Sequence, residues 1–405
     1  MLLILELSPF DLYRGSNSSW EEYGKWIWEM NKGRDKLPQA TIDMLNNMVK
    51  DIADDKEKVK AIYKYLQSRT RYVNIVLGIG GMQPFDAQTV DRNGYGDCKA
   101  LSNYMVSMLK EVGIESYYTL VRAGSQRRDY RFSPDFVASQ FNHVIVCVPL
   151  NGDTIYLECT SQINPFGHQG DFTDNRYVLI VREDGGHLRR TPYIPVSENA
   201  VNGNAVVKID SQGNGSANVV MSFGGHFFSQ LNMASRQNEE DQKKWLYSKD
   251  YLPNSTIERH SIKLNDNMPA IATVELQALL KTYANVSRNR IFIPVNLLSA
   301  SKSTPPRIRN RVLPFELTFE RSYSDTIMYI VPEGFVVETV PQNSFLDSEF
   351  GTYKSSTSVE GNIVKYIMYY ESKSGHFPAE KYPEYFEFWQ SIVRADNQNV
   401  TFRKE

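Results

Sequence analysis

The chain of 405 residues holds three cysteines, and one of them, Cys98, stands where sulfur chemistry is favoured. Tyr95-Gly96-Asp97-Cys98-Lys99 opens a stretch of helical periodicity, with Leu101, Met105, Met108, Leu109 and Val112 on one apolar face and Gly113 as the closing residue. A free thiol with a pKa near ~8.5 is mostly protonated at neutral pH, and only the thiolate attacks carbonyls well. A helix N-terminus favours the anion through its free N–H groups and dipole, and the same N–H groups can hold a developing oxyanion. Gly94 and Gly96 are expected to turn the chain tightly into the helix and to leave room for a substrate beside the sulfur.

Such a nucleophile needs a base, and Asn142-His143-Val144 supplies one at the start of an apolar strand that runs to Leu150. A second strand is expected over 154–160, joined to the first by the two-residue turn Asn151-Gly152. That turn pairs Leu150 with Asp153 and carries Glu158 opposite Ile145, which shares a face with His143 because side chains alternate along a strand. The carboxylate then lies diagonally from the imidazole and within its reach. A three-residue loop would put the two groups on opposite faces. Cys98, His143 and Glu158 can therefore form a triad in which glutamate fixes the tautomer and stabilises the imidazolium. The same register places Cys147 on the His143 face and Cys159 on the other, so both read as packing residues rather than as a disulfide.

Elements must hold these groups. Residues ~19–70 read as helical, with a capping box at Ser19-Trp20-Glu21-Glu22 and a second cap signal at Asp54-Asp55. Strands are expected at about 114–122, 142–150 and 154–160, and an exposed loop at about 124–139, whose Arg127, Arg128 and Arg131 can line a cleft. From about residue 195, short runs such as Ala205–Ile209, Ala217–Met221, Ala272–Leu276, Thr326–Val331 and Val364–Tyr370 are punctuated by Gly, Asn and Pro. They suggest a β-sandwich, with helical insertions at 237–249 and 382–394. Twenty-four tyrosines and twenty phenylalanines fit that β-rich content.

Taken together, Gly80-Gly81-Met82-Gln83-Pro84, Tyr95-Gly96-Asp97-Cys98-Lys99, Phe141-Asn142-His143-Val144 and Tyr156-Leu157-Glu158-Cys159-Thr160 resemble the bacterial transglutaminase-like superfamily. The resemblance implies an α+β, papain-like core of helices packed on an antiparallel sheet, followed by a β-sandwich-like C-terminal region. The expected domains are a residual strand of a missing N-terminal β domain at 1–17, the catalytic core at 18–194 and the β-rich region at 195–405, with a seam near 301–310. Cys98 then matches the nucleophile, His143 the base and Glu158 the third member. Gln83 and Asp97 are weaker candidates for holding the oxyanion or the substrate, Gln83 because its place upstream of the cysteine fits the family. One departure stands out: the family usually has aspartate followed by proline, where this chain has Glu158-Cys159.

The expected function is cysteine-dependent hydrolysis of a peptide-like amide through a thioester, with peptide or protein as substrate. Transamidation is the related outcome if an amine replaces water. The alternative is a weak or inactive transglutaminase-like scaffold that binds a protein or glycan. No cofactor or metal is called for, since His168 and His187 lack ligand spacing and Gly78-Ile79-Gly80-Gly81 lacks the lysine of a phosphate-binding loop. A formal net charge of −2 without a basic block argues against nucleic acid, and no apolar run is long enough to span a membrane. The apolar Met1–Leu7 run is too short for a signal and reads as a strand, so export to the periplasm or cell surface is an expectation of the resemblance alone.

Overall fold

Gly33, with φ +78°, and Pro38, which precedes Gln39, separate the first helix from the second, and the Asp54 cap opens a third, so three helices form where one long pattern is seen in the sequence. The computed structural model describes residues 15–75, 78–125, 131–150, 152–249, 251–252 and 254–405. The expected Leu2–Leu7 strand, the turn residue Asn151, and Arg127 and Arg128 lie outside them. Helix α1 is Trp20–Asn31, α2 Gln39–Val49 and α3 Asp55–Arg69. The Ser19 hydroxyl accepts the Glu22 N–H at 3.1 Å, and the Asp54 carboxylate accepts the Glu57 N–H at 3.0 Å, so both cap signals act as side-chain caps.

The remaining helices of this part are α4 (Ala87–Asn93), α5 (Cys98–Glu111) and the single turn α6 (Gly170–Thr173). Strands β1 (Arg71–Tyr72) and β2 (Tyr95–Gly96) form a small parallel pair that leads into α5. Strands β3 (Tyr117–Val121), β4 (His143–Leu150), β5 (Asp153–Leu157), β6 (Tyr177–Arg182) and β7 (Gly185–Arg190) make an antiparallel sheet in the order β5-β4-β3-β6-β7. Val146, Val148 and Leu157 from one side of that sheet share a core with Leu101, Met105 and Met108 of α5. Helix α1 lies against β7 so closely that a Cβ on Gly24 would come within 2.1 Å of the Gly186 Cα. The contact exists because neither position carries a side chain.

The chain divides into two compact units. One runs to Ile194 and takes in Asp266–Met268, and the other comprises Pro195–Asn265 and Pro269–Glu405. In the second unit the strands are β8 (Ala200–Ile209), β9 (Gly215–Gly224), β10 (Ser255–Asn265), β11 (Ile271–Leu280), β12 (Asn285–Ser287), β13 (Arg290–Pro294) and β14 (Phe315–Leu317). They continue as β15 (Arg321–Ile330), β16 (Phe335–Thr339), β17 (Ser344–Ser348), β18 (Gly351–Glu360), β19 (Ile363–Ser372), β20 (Gly375–Phe377) and β21 (Asn399–Lys404). An eight-stranded sheet of order β10-β11-β9-β8-β15-β19-β18-β17 and a four-stranded sheet of order β12-β13-β21-β16 result. Val207, Val219 and Tyr329 of the larger sheet share one core with Ile291, Ile293, Val400 and Phe402 of the smaller. Helices α7 (Phe228–Ala234), α8 (Glu239–Ser248) and α9 (Tyr382–Asp396) complete this unit, and Ser301–Pro306 is irregular, as the sequence suggests.

Candidate active site

Cys98 is the first residue of α5, and Asp97 is its N-cap, accepting the Ala100 N–H at 2.9 Å. Leu101 N–H bonds the Asp97 carbonyl at 2.9 Å. Helix geometry then leaves the Cys98 and Lys99 N–H groups without intrahelical acceptors. Asp97 is thus a structural cap whose carboxylate also pairs with the buried Lys99 ammonium, which balances its charge beside the thiol. Gly94 adopts φ +67° to turn α4 into β2. Gly96 acts otherwise than expected: a Cβ there would meet the Ala100 Cβ at 2.7 Å, so its bareness serves helix packing rather than substrate access.

His143 is the first residue of β4, and the pairs Leu150 with Asp153 and Val146 with Leu157 give the register expected of a two-residue turn. Strand β5 ends at Leu157, short of the expected 160, because Thr160 turns back on Glu158: its N–H at 2.9 Å and its hydroxyl both donate to Glu158 Oε1. Antiparallel pairing puts the start of β4 and the end of β5 at the same end of the sheet. There Glu158 Oε2 lies 2.7 Å from His143 Nε2, and the Cys98 thiol is near enough to the imidazole to raise its pKa.

Burial alone would lower the His143 pKa, but the Glu158 carboxylate and the Cys98 sulfur outweigh it and hold the imidazole up at about 10. Glu158 is held below the usual carboxylate range, its own burial being outweighed by His143 and by Thr160. The Tyr63 hydroxyl of α3 donates to the Glu158 carbonyl at 2.8 Å and anchors its backbone. Cys98 is half-buried, whereas Cys147 and Cys159 are buried free thiols, with Cys147 pushed up to about 11 by desolvation. Gln83 is buried, and its amide nitrogen donates to the Met30 carbonyl at 2.7 Å. Among the described residues no cluster of His, Cys, Asp and Glu suits a metal ion, and no helix is long and apolar enough to cross a membrane.

Sequence reasoning missed how the histidine is framed. Asn142 accepts the Ala123 N–H at 2.7 Å and donates to the Ala123 carbonyl at 2.9 Å, pinning the first turn of β4 to the chain leaving β3. Phe172 of α6, 43% exposed, meets the His143 ring edge-to-face at 5.4 Å between centroids. The buried Arg176 guanidinium ties these pieces together by donating to the carbonyls of Arg122 (3.2 Å), Asp174 (3.0 Å), Asp171 (2.9 Å) and Gly124. The Asn142-His143 pair was visible in the sequence. Nothing in the spacing of Arg176 pointed to its role.

Residues 42–154 match the transglutaminase-like superfamily, so the chain carries a transglutaminase-like domain. Residues 289–402 match a family described as a domain of unknown function with a solved structure (DUF3858). No curated protein matches the chain in sequence. Among solved structures, a protein described as a "putative protease" from Parabacteroides distasonis shares the fold at 15% identity and a TM-score of 0.54, over 94% of this chain and 58% of that one. The chain therefore spans less than two thirds of that protein's length.

Proposed function

We propose that this protein is a cysteine-dependent amide hydrolase acting on peptide-like substrates. The observation that carries the reading is a buried imidazole held by Glu158 at 2.7 Å, with Cys98, the first residue of a helix, close enough to raise its pKa. The Cys98 thiolate attacks the amide carbonyl carbon, and its electron pair moves to the oxygen, which the Cys98 and Lys99 N–H groups receive. The His143 imidazolium gives its proton to the departing nitrogen, the C–N bond breaks, and a thioester remains on Cys98. Neutral His143 then takes a proton from water, whose oxygen attacks the thioester; the carboxylic acid leaves and the thiol is restored. Glu158 holds the ring in one tautomer throughout and keeps its carboxylate unprotonated. The fold likeness to a protein described as a "putative protease" supports the choice of substrate class.

The test is labelling of the purified protein with a peptidyl acyloxymethyl ketone, a carbonyl electrophile that captures activated cysteines, together with hydrolysis of a fluorogenic peptide library. Wild type should label at one cysteine, and Cys98→Ala and His143→Ala should not label. Equal labelling of wild type and Cys98→Ala would refute the nucleophile.

A further inference from the structure

The second unit contains a cavity of about 520 Å³ that the hydrolase chemistry does not use. Its walls are aromatic: Tyr323 stacks on Tyr370 with centroids 6.2 Å apart and planes 23° from parallel, and Trp389 tilts against Tyr370 at 5.5 Å. Tyr251 stands on another side, and the floor is apolar, with Phe223, Met368 and Ile392 all buried. The acidic group of the floor, Asp396, is fully committed: Asn296 and Tyr353 donate to one oxygen at 2.8 and 2.7 Å, and the Ser301 N–H to the other at 2.8 Å.

The rim is cationic. Arg321 is exposed, lines the same cavity as Tyr323 and Tyr370, and pairs with no carboxylate among the described residues. Lys249 is exposed as well, and its ammonium has neutral partners, the Gln230 side-chain oxygen at 2.6 Å and the Trp245 ring at 5.1 Å. An aromatic and aliphatic well with its floor carboxylate already saturated favours an apolar body entering first. Two uncompensated cations at the mouth favour an anionic head that stays outside. The geometry points to a binding site for a small carboxylic acid with an apolar body, its carboxylate on Arg321 and Lys249.

Isothermal titration of the full chain with dodecanoate and with N-acetyl-Ala-Phe, each against its neutral counterpart (dodecanol and the C-terminal amide), tests this. Binding of either acid at least tenfold tighter than its neutral counterpart is expected, and whichever acid binds identifies a fatty or a peptide-derived source. Arg321→Gln and Lys249→Gln, both surface changes that leave the core intact, should each weaken that binding about tenfold. No binding of either acid at millimolar concentration would overturn the proposal. So would equal binding of acid and neutral forms, or unchanged affinity in both variants. Cys98 labelling serves as an independent readout, since it reports the other unit.

Discussion

Glu158 Oε2 lies 2.7 Å from His143 Nε2, while Thr160 grips the other carboxylate oxygen. The longer side chain that departs from the usual aspartate therefore still reaches the ring, because β5 ends early and the following turn draws the carboxylate into place. Glu158→Gln keeps the shape but removes the negative charge and offers the ring an amide. It should lower the rate of Cys98 labelling and of peptide hydrolysis roughly 10²–10⁴-fold with little loss of fold. Kinetics and circular dichroism on the same sample separate the two effects.

The raised His143 pKa gives a pH profile. With His143 held as imidazolium up to about pH 10, iodoacetamide alkylation of Cys98 should be slowed by His143→Ala below that pH and lose that dependence above it. Stability follows the same sign. The His143 contribution is fully present below about pH 6.5, its unfolded value, and is lost as pH rises through about 10. The Glu158 contribution, from a lowered pKa, is present above its unfolded value of 4.5 and is lost as pH falls below it. Equal alkylation rates in wild type and His143→Ala below about pH 10 would contradict the pairing.

Arg176 is a positioning residue. Arg176→Met leaves the buried carbonyls of Arg122, Gly124, Asp171 and Asp174 short of a donor, at a cost of about 3–5 kcal/mol in urea unfolding. Arg176→Lys should recover only part of it, since an ammonium cannot span four carbonyls as a planar fork does. A readout specific to the site is the alkylation pH profile, which should shift as Phe172 and Asn142 loosen around His143.

Asp325 of β15 is fully buried, and Ser299 offsets only part of the cost of burying its carboxylate. Desolvation pushes its pKa up to about 7, against 3.8 for the ordinary carboxyl. An acid whose folded pKa is raised stabilises the fold at low pH, and the benefit declines as pH rises from about 4 to about 7 and is absent above. Asp325→Asn should remove roughly 4 kcal/mol of that pH dependence and leave the variant more stable than wild type at pH 8. Unfolding in urea at pH 4 and pH 8 measures it.

The His143–Glu158 contact and the helix start at Cys98 were legible because they rest on local rules: an N-cap before Cys98, an alternating strand from His143, and a two-residue turn that sets register. Caps at Ser19 and Asp54 were legible for the same reason. Three features were not. The end of β5 depends on a side chain folding back from Thr160, which competes with strand pairing without altering the pattern of apolar residues. Gly96 looked like space for a substrate, yet its Cβ position is crowded by Ala100, four residues on, once the chain turns into the helix. Arg176 acts on backbone carbonyls, which every residue carries, so its partners leave no trace in residue type.

The three sulfurs differ in exposure in a way that matters beyond hydrolysis. Cys147 and Cys159 are sealed in the interior, while Cys98 alone is open to small solutes. Peroxide would therefore convert this one position to a sulfenic acid without touching the core, and a small thiol could reverse the change.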